Sequence, residues 1–211
     1  MTTTTYLLYL AAVAVLVASP GPTMLMALSN ALSHGASRGI ASATGSVAAV
    51  LVIMLLSALG LGAVLAASEL AFTVLKIIGA AYLIYLGIKT WHSPAIDWQL
   101  DTAQQQAVRP SLRASFVQGV MVGASNPKAL LFFSAFFPQF INPSAAWAPQ
   151  FGLLAITFVA FELGLLSALS LGAARVKPWL AVKTRMLWLN RICGGLFASM
   201  GAALLLVRRQ T

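Results

Sequence analysis

Two apolar stretches of the chain are each interrupted near the middle by a helix-capping residue and proline. The interruptions are Ser19, Pro20, Gly21 and Pro22 in the first stretch, and Asn126, Pro127 and Lys128 in the second. Ser and Asn are favoured N-cap residues, and proline is favoured at the first helical position because its missing N–H is not needed there. Each stretch is therefore predicted to form two short helices, the second beginning at the capping residue.

The composition places these stretches in a membrane. The chain has 211 residues, of which 60% are hydrophobic and 8% charged, against roughly 25% charged residues in soluble domains. Residues 39–68 and 129–161 contain no charge at all, whereas a membrane helix needs about 20 such residues. In hydrocarbon, an interrupted helix leaves backbone groups unpaired and is tolerated only beside protein or a watery cavity.

Six segments are long and apolar enough to be predicted as membrane spans. Their ranges are 6–33, 40–66, 71–90, 113–140, 150–174 and 189–207. The polar connection 91–112 has the composition of a linker and separates repeat one, 6–90, from repeat two, 113–207. We expect both repeats to form a single transmembrane domain, 1–211.

The third and sixth spans share a pattern of a cation, a small pair and an aromatic residue. The pattern is Lys76, Gly79, Ala80 and Tyr82 in one span, and Arg191, Gly194, Gly195 and Phe197 in the other. Three spans per repeat is an odd number, so the second half must enter the membrane from the opposite face. Inverted repeats with paired helix interruptions are typical of secondary transporters, whose site lies near the midplane. The predicted fold is an all-α membrane protein with six transmembrane helices in two inverted three-helix repeats, helices 1 and 4 being broken at proline motifs.

The charge of the chain, formally +9, is concentrated in alternate connections. Those after spans 1, 3 and 5 carry nine cations: Arg38, Lys89, Arg109, Arg113, Arg175, Lys177, Lys183, Arg185 and Arg191. The opposite side carries Lys76, Arg208 and Arg209. The positive-inside rule places the nine-cation side in the cytoplasm and both termini outside.

Lys128 lies within the membrane, directly after the second break. A lysine at the centre of a membrane helix costs about 2.5–3.5 kcal/mol on insertion scales. Here its charge would add to the positive end of a helix dipole and favour an anion, most simply a carboxylate. The alternative is a structural lysine that snorkels to an interface.

Glu162, near the middle of span 5, is the second candidate site residue. It either pairs with Lys128, titrates and carries a coupling proton, or holds a substrate ammonium group. Lys76, Tyr82 and Arg191 are secondary candidates. Snorkelling is the favoured role of the two cations, and Tyr82 either packs or forms a hydrogen bond within a cavity.

Gly119 and Gly123 in span 4 form a small-xxx-small pair, extended backwards by Ser115. Such pairs allow helices to approach closely. Packing within the chain is the favoured interpretation, and a dimer contact is the alternative.

The motifs of soluble enzymes do not fit this chain. Residues Gly35 to Gly39 match the Gly-x-Ser-x-Gly nucleophile elbow, but they fall in a short connection between predicted membrane helices rather than in a strand–turn–helix unit. The sequence has no His-Glu-x-x-His motif, no phosphate-cradling loop and a single cysteine, Cys193. We predict no enzymatic activity, cofactor, metal site or nucleic-acid partner.

The chain resembles the lysine-exporter (LysE/RhtB) family of amino-acid efflux permeases in an ordered set of motifs. These are Ser-Pro-Gly-Pro at 19–22, Lys-x-x-Gly-Ala-x-Tyr-Leu-x-Tyr-Leu-Gly at 76–87, Asn-Pro-Lys at 126–128, Phe-Phe at 132–133 and Pro-Gln-Phe at 138–140. The resemblance implies a multi-pass carrier of the bacterial inner membrane that exports amino acids by proton antiport, and a homodimer. The alternatives are an exporter of another small solute, such as a metal or toxic cation, and a non-transport membrane protein of related architecture.

Overall fold

The structure, a computed structural model, describes residues 1–67, 69–94, 110–142 and 144–206. Nine α-helices run through these residues: α1 (Thr3–Ala18), α2 (Pro22–His34), α3 (Ala36–Ala67), α4 (Glu69–Trp91), α5 (Leu112–Ser125), α6 (Pro127–Leu131), α7 (Trp147–Leu171), α8 (Ala173–Leu180) and α9 (Lys183–Leu206). A π-helical segment, Phe132–Phe136, and a 3-10 helix, Phe137–Phe140, follow α6. The predicted all-helical fold is confirmed for the described residues. Most of the predicted linker, and Arg109, Arg208 and Arg209, lie outside them.

Two of the described helices are long and apolar enough to cross a membrane. They are α3, through its stretch Ala36–Leu59, and α7. A third span results if α1 and α2, which are bent by 50° at their junction, cross together. The helices α4 and α9 and the segment from α5 to the 3-10 helix coincide with the other predicted apolar segments.

After the first break, the second helix begins two residues later than predicted. Ser19 is the C-cap of α1, since its N–H donates to the carbonyl of Val15 at 3.0 Å. The N-cap of α2 is Gly21, and Pro22 takes the first helical position. A residue that precedes proline is disfavoured in the α-helical region. Gly21 precedes Pro22 and is extended, with φ −162° and ψ 179°, so the helix begins after it.

At the second break, the new helix begins at the predicted residue, but the helical geometry changes after five residues. Asn126 caps α6 through its Oδ1, which accepts from the backbone N–H of Lys128 at 3.1 Å, and Pro127 takes the first helical position. However, α6 has only 5 residues before the π-helical segment and the 3-10 helix. Pro138 lies in the first turn of the 3-10 helix, where its missing N–H costs no helical hydrogen bond. The predicted second short helix is present as α6, and the chain then continues as the π-helical segment and the 3-10 helix.

Glycines bring α3 and α5 into backbone contact. A Cβ atom on Gly119 would overlap the carbonyl of Ser42, and one on Gly123 would lie 2.8 Å from the Cα of Ser46. The small-xxx-small pair of span 4 is therefore used within the chain, as predicted. The same kind of contact joins α4 to α9, where a Cβ atom on Gly194 would lie 2.6 Å from the carbonyl oxygen of Gly87.

The largest buried cluster surrounds the second break. It combines Tyr9 of α1 and Phe158 of α7 with the aromatic side chains that follow α6: Phe132, Phe133, Phe136, Phe137 and Phe140. The hydroxyl of Tyr9 donates to the carbonyl of Leu154 at 2.9 Å, so its polar end is satisfied within the cluster. Since this cluster holds residues from both sequence halves, the two breaks share one core.

The close approach of α3 and α5 predicts that Gly119→Ala lowers the thermal stability of the purified protein in detergent. The added methyl group meets a backbone carbonyl that cannot move aside, and overpacking of this kind costs about 1–3 kcal/mol. The matched control is Gly152→Ala in α7, where an added Cβ meets nothing within 4 Å. Equal melting temperatures for the two variants would contradict the described packing.

Candidate functional site

Lys128 joins the two breaks. Its Nζ donates to the carbonyl oxygens of Leu16 and Ser19, each at 2.7 Å. The carbonyl of Leu16 would normally accept from the N–H four residues later, but that residue is Pro20, which has none. The ammonium group therefore takes the place of a missing backbone donor at the negative, C-terminal end of α1.

Gly21 lies against the same ammonium group. A Cβ atom on Gly21 would be 3.2 Å from Nζ and 3.4 Å from Cε of Lys128. The φ angle of Gly21, −162°, is extended and open to any residue. The space beside Lys128, rather than backbone conformation, is what favours glycine at this position.

From its position two residues into the second half-helix, Lys128 was expected to add its charge to the N-terminus of its own helix. In the structure, the backbone N–H of Lys128 is already bound by Asn126, and the ammonium group extends to the first break instead. The positive charge therefore lies beside Gly21, the N-cap of α2. It is held between the end of α1 and the start of α2.

The start of α2 has the features of an anion site. This helix has 13 residues, and no side chain caps its N-terminus. Ser19, which is only 1% exposed, directs no hydrogen bond through its Oγ to any described residue. The N-terminal N–H groups of α2, the Ser19 hydroxyl and the remaining N–H of Lys128 are suited to receive a carboxylate.

Glu162 faces the same helix start from α7. Its carboxylate accepts a hydrogen bond from the hydroxyl of Thr23 at 3.4 Å, and both side chains are buried. No direct ion pair joins Glu162 to Lys128, although the two charges interact electrostatically. Of the alternatives for Glu162, a direct structural ion pair with Lys128 is therefore not the arrangement in this structure.

The three secondary candidate residues, Tyr82, Arg191 and Lys76, lie in different surroundings. The hydroxyl of Tyr82 donates to the carbonyl of Pro127 at 3.3 Å, which ties α4 to the second break. Arg191 is exposed on α9. Lys76 belongs to α4, but its side chain lies outside the described residues.

Sequence reasoning missed the carbonyl of Leu16 and the hydroxyl of Thr23. The first could have been found from Pro20, which removes the donor four residues after Leu16. Thr23 carries no comparable signal, because a threonine near a helix start usually bonds locally. Its partner is 139 residues away in the sequence and follows only from the tertiary fold.

The Gly-x-Ser-x-Gly match lies in a helix–turn–helix segment. Gly35 separates α2 from α3 with a φ angle of 95°, a conformation that favours glycine, and Ser37 belongs to the first turn of α3. No strand precedes it in the described chain, so the segment does not have the geometry of a nucleophile elbow.

Sequence comparisons identify relatives along nearly the whole chain. It is 34% identical over 197 residues to a homoserine/homoserine lactone efflux protein of Salmonella typhimurium, covering 93% of both chains. It is 31% identical over 187 residues to a leucine efflux protein of an Enterobacter species, covering 88% of this chain and 87% of that protein. An uncharacterised membrane protein of Vibrio cholerae is 33% identical over 201 residues, or 95% of each chain. No solved structure gives a significant match.

The model of the LysE type translocator family matches residues 14–208, which include both breaks, Lys128 and Glu162. The chain belongs to the LysE type translocator family.

Proposed function

We propose that this protein exports neutral amino acids across the bacterial inner membrane by proton antiport. The observation that carries the proposal is the Lys128 contact, which brings the two helix breaks together beside the buried Glu162. Family membership supports transport, and two relatives are named as efflux proteins, one for homoserine and homoserine lactone and one for leucine. Homoserine and leucine are neutral amino acids.

The directions of the helices support six crossings in two inverted repeats. Along α3 and α5, residue numbers rise together, from the Ser42–Gly119 contact to the Ser46–Gly123 contact, so these helices are parallel. Along α4 and α9 they run oppositely, with Gly87 near Gly194 and Ala80 near Gly201. Six alternating crossings make spans 2 and 4 parallel and spans 3 and 6 antiparallel. We therefore infer a single domain in which the repeats enter from opposite faces.

With six alternating crossings, the basic connections fall at one end of this bundle, and hydrogen bonds between two pairs of them agree with this. Arg38 donates to the carbonyl of Pro110 at 3.0 Å, which brings the start of α3 to the start of α5. Asn190 donates to the carbonyl of Ser93 at 3.1 Å, which brings α9 to the end of α4. Clustering of these cation-bearing ends on one side supports the cytoplasmic assignment of the connections after spans 1, 3 and 5.

The site residues match the two charges of an amino-acid zwitterion. The start of α2, Ser19 and Lys128 receive the carboxylate, and Glu162 with Thr23 receives the ammonium group. The breaks that expose these groups are formed by Pro20, Pro22, Asn126 and Pro127. Tyr82 holds the second break in place through its hydrogen bond to Pro127.

The charge count favours neutral substrates over basic ones. Glu162 is the last acidic residue in the sequence, and the other three are Glu69, Asp97 and Asp101. Glu69 begins α4, and the two aspartates belong to the linker. A basic amino acid would bring a second positive charge to a site with one carboxylate, and an unpaired charge is costly in such surroundings.

Glu162 also provides the coupling. A carboxylate that binds either a substrate ammonium group or a proton cannot hold both at once. A proton that enters from outside neutralises Glu162 and releases the amino acid outward. Loss of that proton to the cytoplasm restores the carboxylate for the next substrate. Alternating access between the two repeats connects these steps, and the proton motive force drives them.

The homodimer implied by the resemblance stays a prediction. Gly119 and Gly123 already contact α3, so a dimer would use another surface.

Efflux from cells that express the protein tests the substrate class. With a panel of radiolabelled homoserine, leucine, lysine and arginine, we expect export of the neutral members and none of the basic pair. An uncoupler should abolish export of the neutral amino acids, because the proton gradient supplies the driving force. Preferential export of lysine would contradict the charge count, and export unaffected by the uncoupler would contradict proton coupling.

Lys128→Ala is expected to abolish export. It removes two charge-assisted hydrogen bonds to carbonyls without other donors, at a cost of about 3 kcal/mol or more, which is about a hundredfold in the population of the joined breaks. The measurement is the initial rate in proteoliposomes, normalised to inserted protein, with Lys89→Gln as the control for loss of an exposed cation.

A second variant keeps this test valid if Lys128→Ala fails to fold. Gly21→Ala leaves the lysine in place but moves its ammonium group, so export should fall at least severalfold at unchanged protein level. Full export by both variants would contradict the proposed site.

Glu162→Gln keeps the size of the side chain and a hydrogen-bond acceptor for Thr23 but removes the charge. We expect loss both of net export and of exchange between labelled and unlabelled substrate, because the ammonium group has lost its partner. Exchange that persists while net export is lost would show that Glu162 carries only the proton.

A further inference from the structure

The connection between α7 and α9 contains an amphipathic helix, α8. Its buried side, with Ala173 and Leu180, packs against Leu28 of α2 and Met186 of α9. Its other side carries Arg175 and Trp179, which are exposed, and Lys177 is partly exposed one turn after Ala173. One face of α8 is thus fixed to the bundle, and the other is free to meet a partner.

Two further cations at the start of α9 lie next to the cations of this face. Lys183 and Arg185 at the start of α9 continue the row from α8, and the Arg185 guanidinium stacks over the ring of Trp179 at 5.7 Å. No acidic residue follows Glu162 in the sequence. In the described part of the chain, no carboxylate contacts any of these cations, which leaves them available to an external anion.

Exposed apolar side chains lie between the cations. Leu171 is 72% exposed, Trp179 48% and Val182 41%. A soluble anion would satisfy the positive charges but leave these groups in water. A helix with cations and exposed apolar residues side by side is typical of the membrane interface, where anionic headgroups and acyl chains meet.

We propose that residues 171–185, which run from the end of α7 through α8 to the start of α9, form a binding surface for anionic phospholipid headgroups. The surface also acts on transport, since α8 packs on Leu28 of α2, the helix whose N-terminus receives the substrate. Bound lipid fixes α8 and with it α2. This second part rests on the proposed function, whereas the binding itself does not.

Binding is measured on the detergent-purified full chain by titration with short-chain phosphatidylglycerol, followed as thermal stabilisation. The test variant is Arg175→Gln/Arg185→Gln. The control is Lys89→Gln/Arg113→Gln, which removes two exposed cations elsewhere. Each cation near an anionic lipid surface contributes enough that the test variant should bind roughly tenfold or more weakly, while the control binds like the unchanged protein. Equal weakening of both variants, or equal stabilisation by short-chain phosphatidylcholine or inorganic phosphate, would overturn the lipid surface.

Transport is then compared in phosphatidylcholine vesicles with and without phosphatidylglycerol. We expect the anionic lipid to raise the initial rate severalfold for the unchanged protein and the control, and not for the test variant. Selective binding without any effect on the rate would overturn the coupling to α2. Selective binding in a protein that transports no amino acid in either vesicle would overturn the proposed function and leave the lipid surface standing.

Discussion

The hydrogen bonds from Lys128 to the end of α1 are the interaction on which the rest of the site depends. Pro20 deprives the carbonyl of Leu16 of its helical donor, and an unpaired carbonyl in the membrane interior costs several kcal/mol. Lys128 supplies that donor from the other half of the chain. The same contact makes a membrane lysine tolerable, because two of its three N–H groups are bonded to carbonyls. The proline and the lysine therefore compensate for each other.

This compensation leaves functional groups at the start of α2. The chain that leaves α1 runs extended through Gly21, so α2 begins without a side-chain cap and next to a positive charge. A capping serine or aspartate would satisfy the first N–H groups of α2 but would close the site. Together with the buried Glu162, the uncapped start gives a small region in which opposite charges lie near each other without forming a pair. That arrangement suits a translocator, whose site must bind a zwitterion and release it.

The positions of both breaks and the start of α6 could be predicted from the sequence because they follow from local chemistry. Asn126 and Pro127 begin α6 through the interactions expected of a cap and a first-turn proline. The start of α2 after Gly21 was not predicted because Pro20 and Pro22 could each occupy the first helical position. The direction of Lys128 was missed for a different reason: its long side chain finds acceptors more than 100 residues away, and only packing determines which carbonyls it reaches. The π-helical segment after α6 likewise depends on the aromatic core around it.

The central claim is that the ammonium group of Lys128 receives the substrate carboxylate beside the first break. Solid-state NMR in lipid tests it directly, through the distance between the labelled carboxyl carbon of an exported amino acid and the lysine Nζ. The sample is a transport-competent protein whose other lysines are replaced by glutamine, so that the nitrogen signal belongs to Lys128. We predict a distance of about 3–4 Å, as in charge-assisted contacts between ammonium and carboxylate groups. A bound substrate whose carboxyl carbon shows no dipolar coupling to this nitrogen would contradict the account.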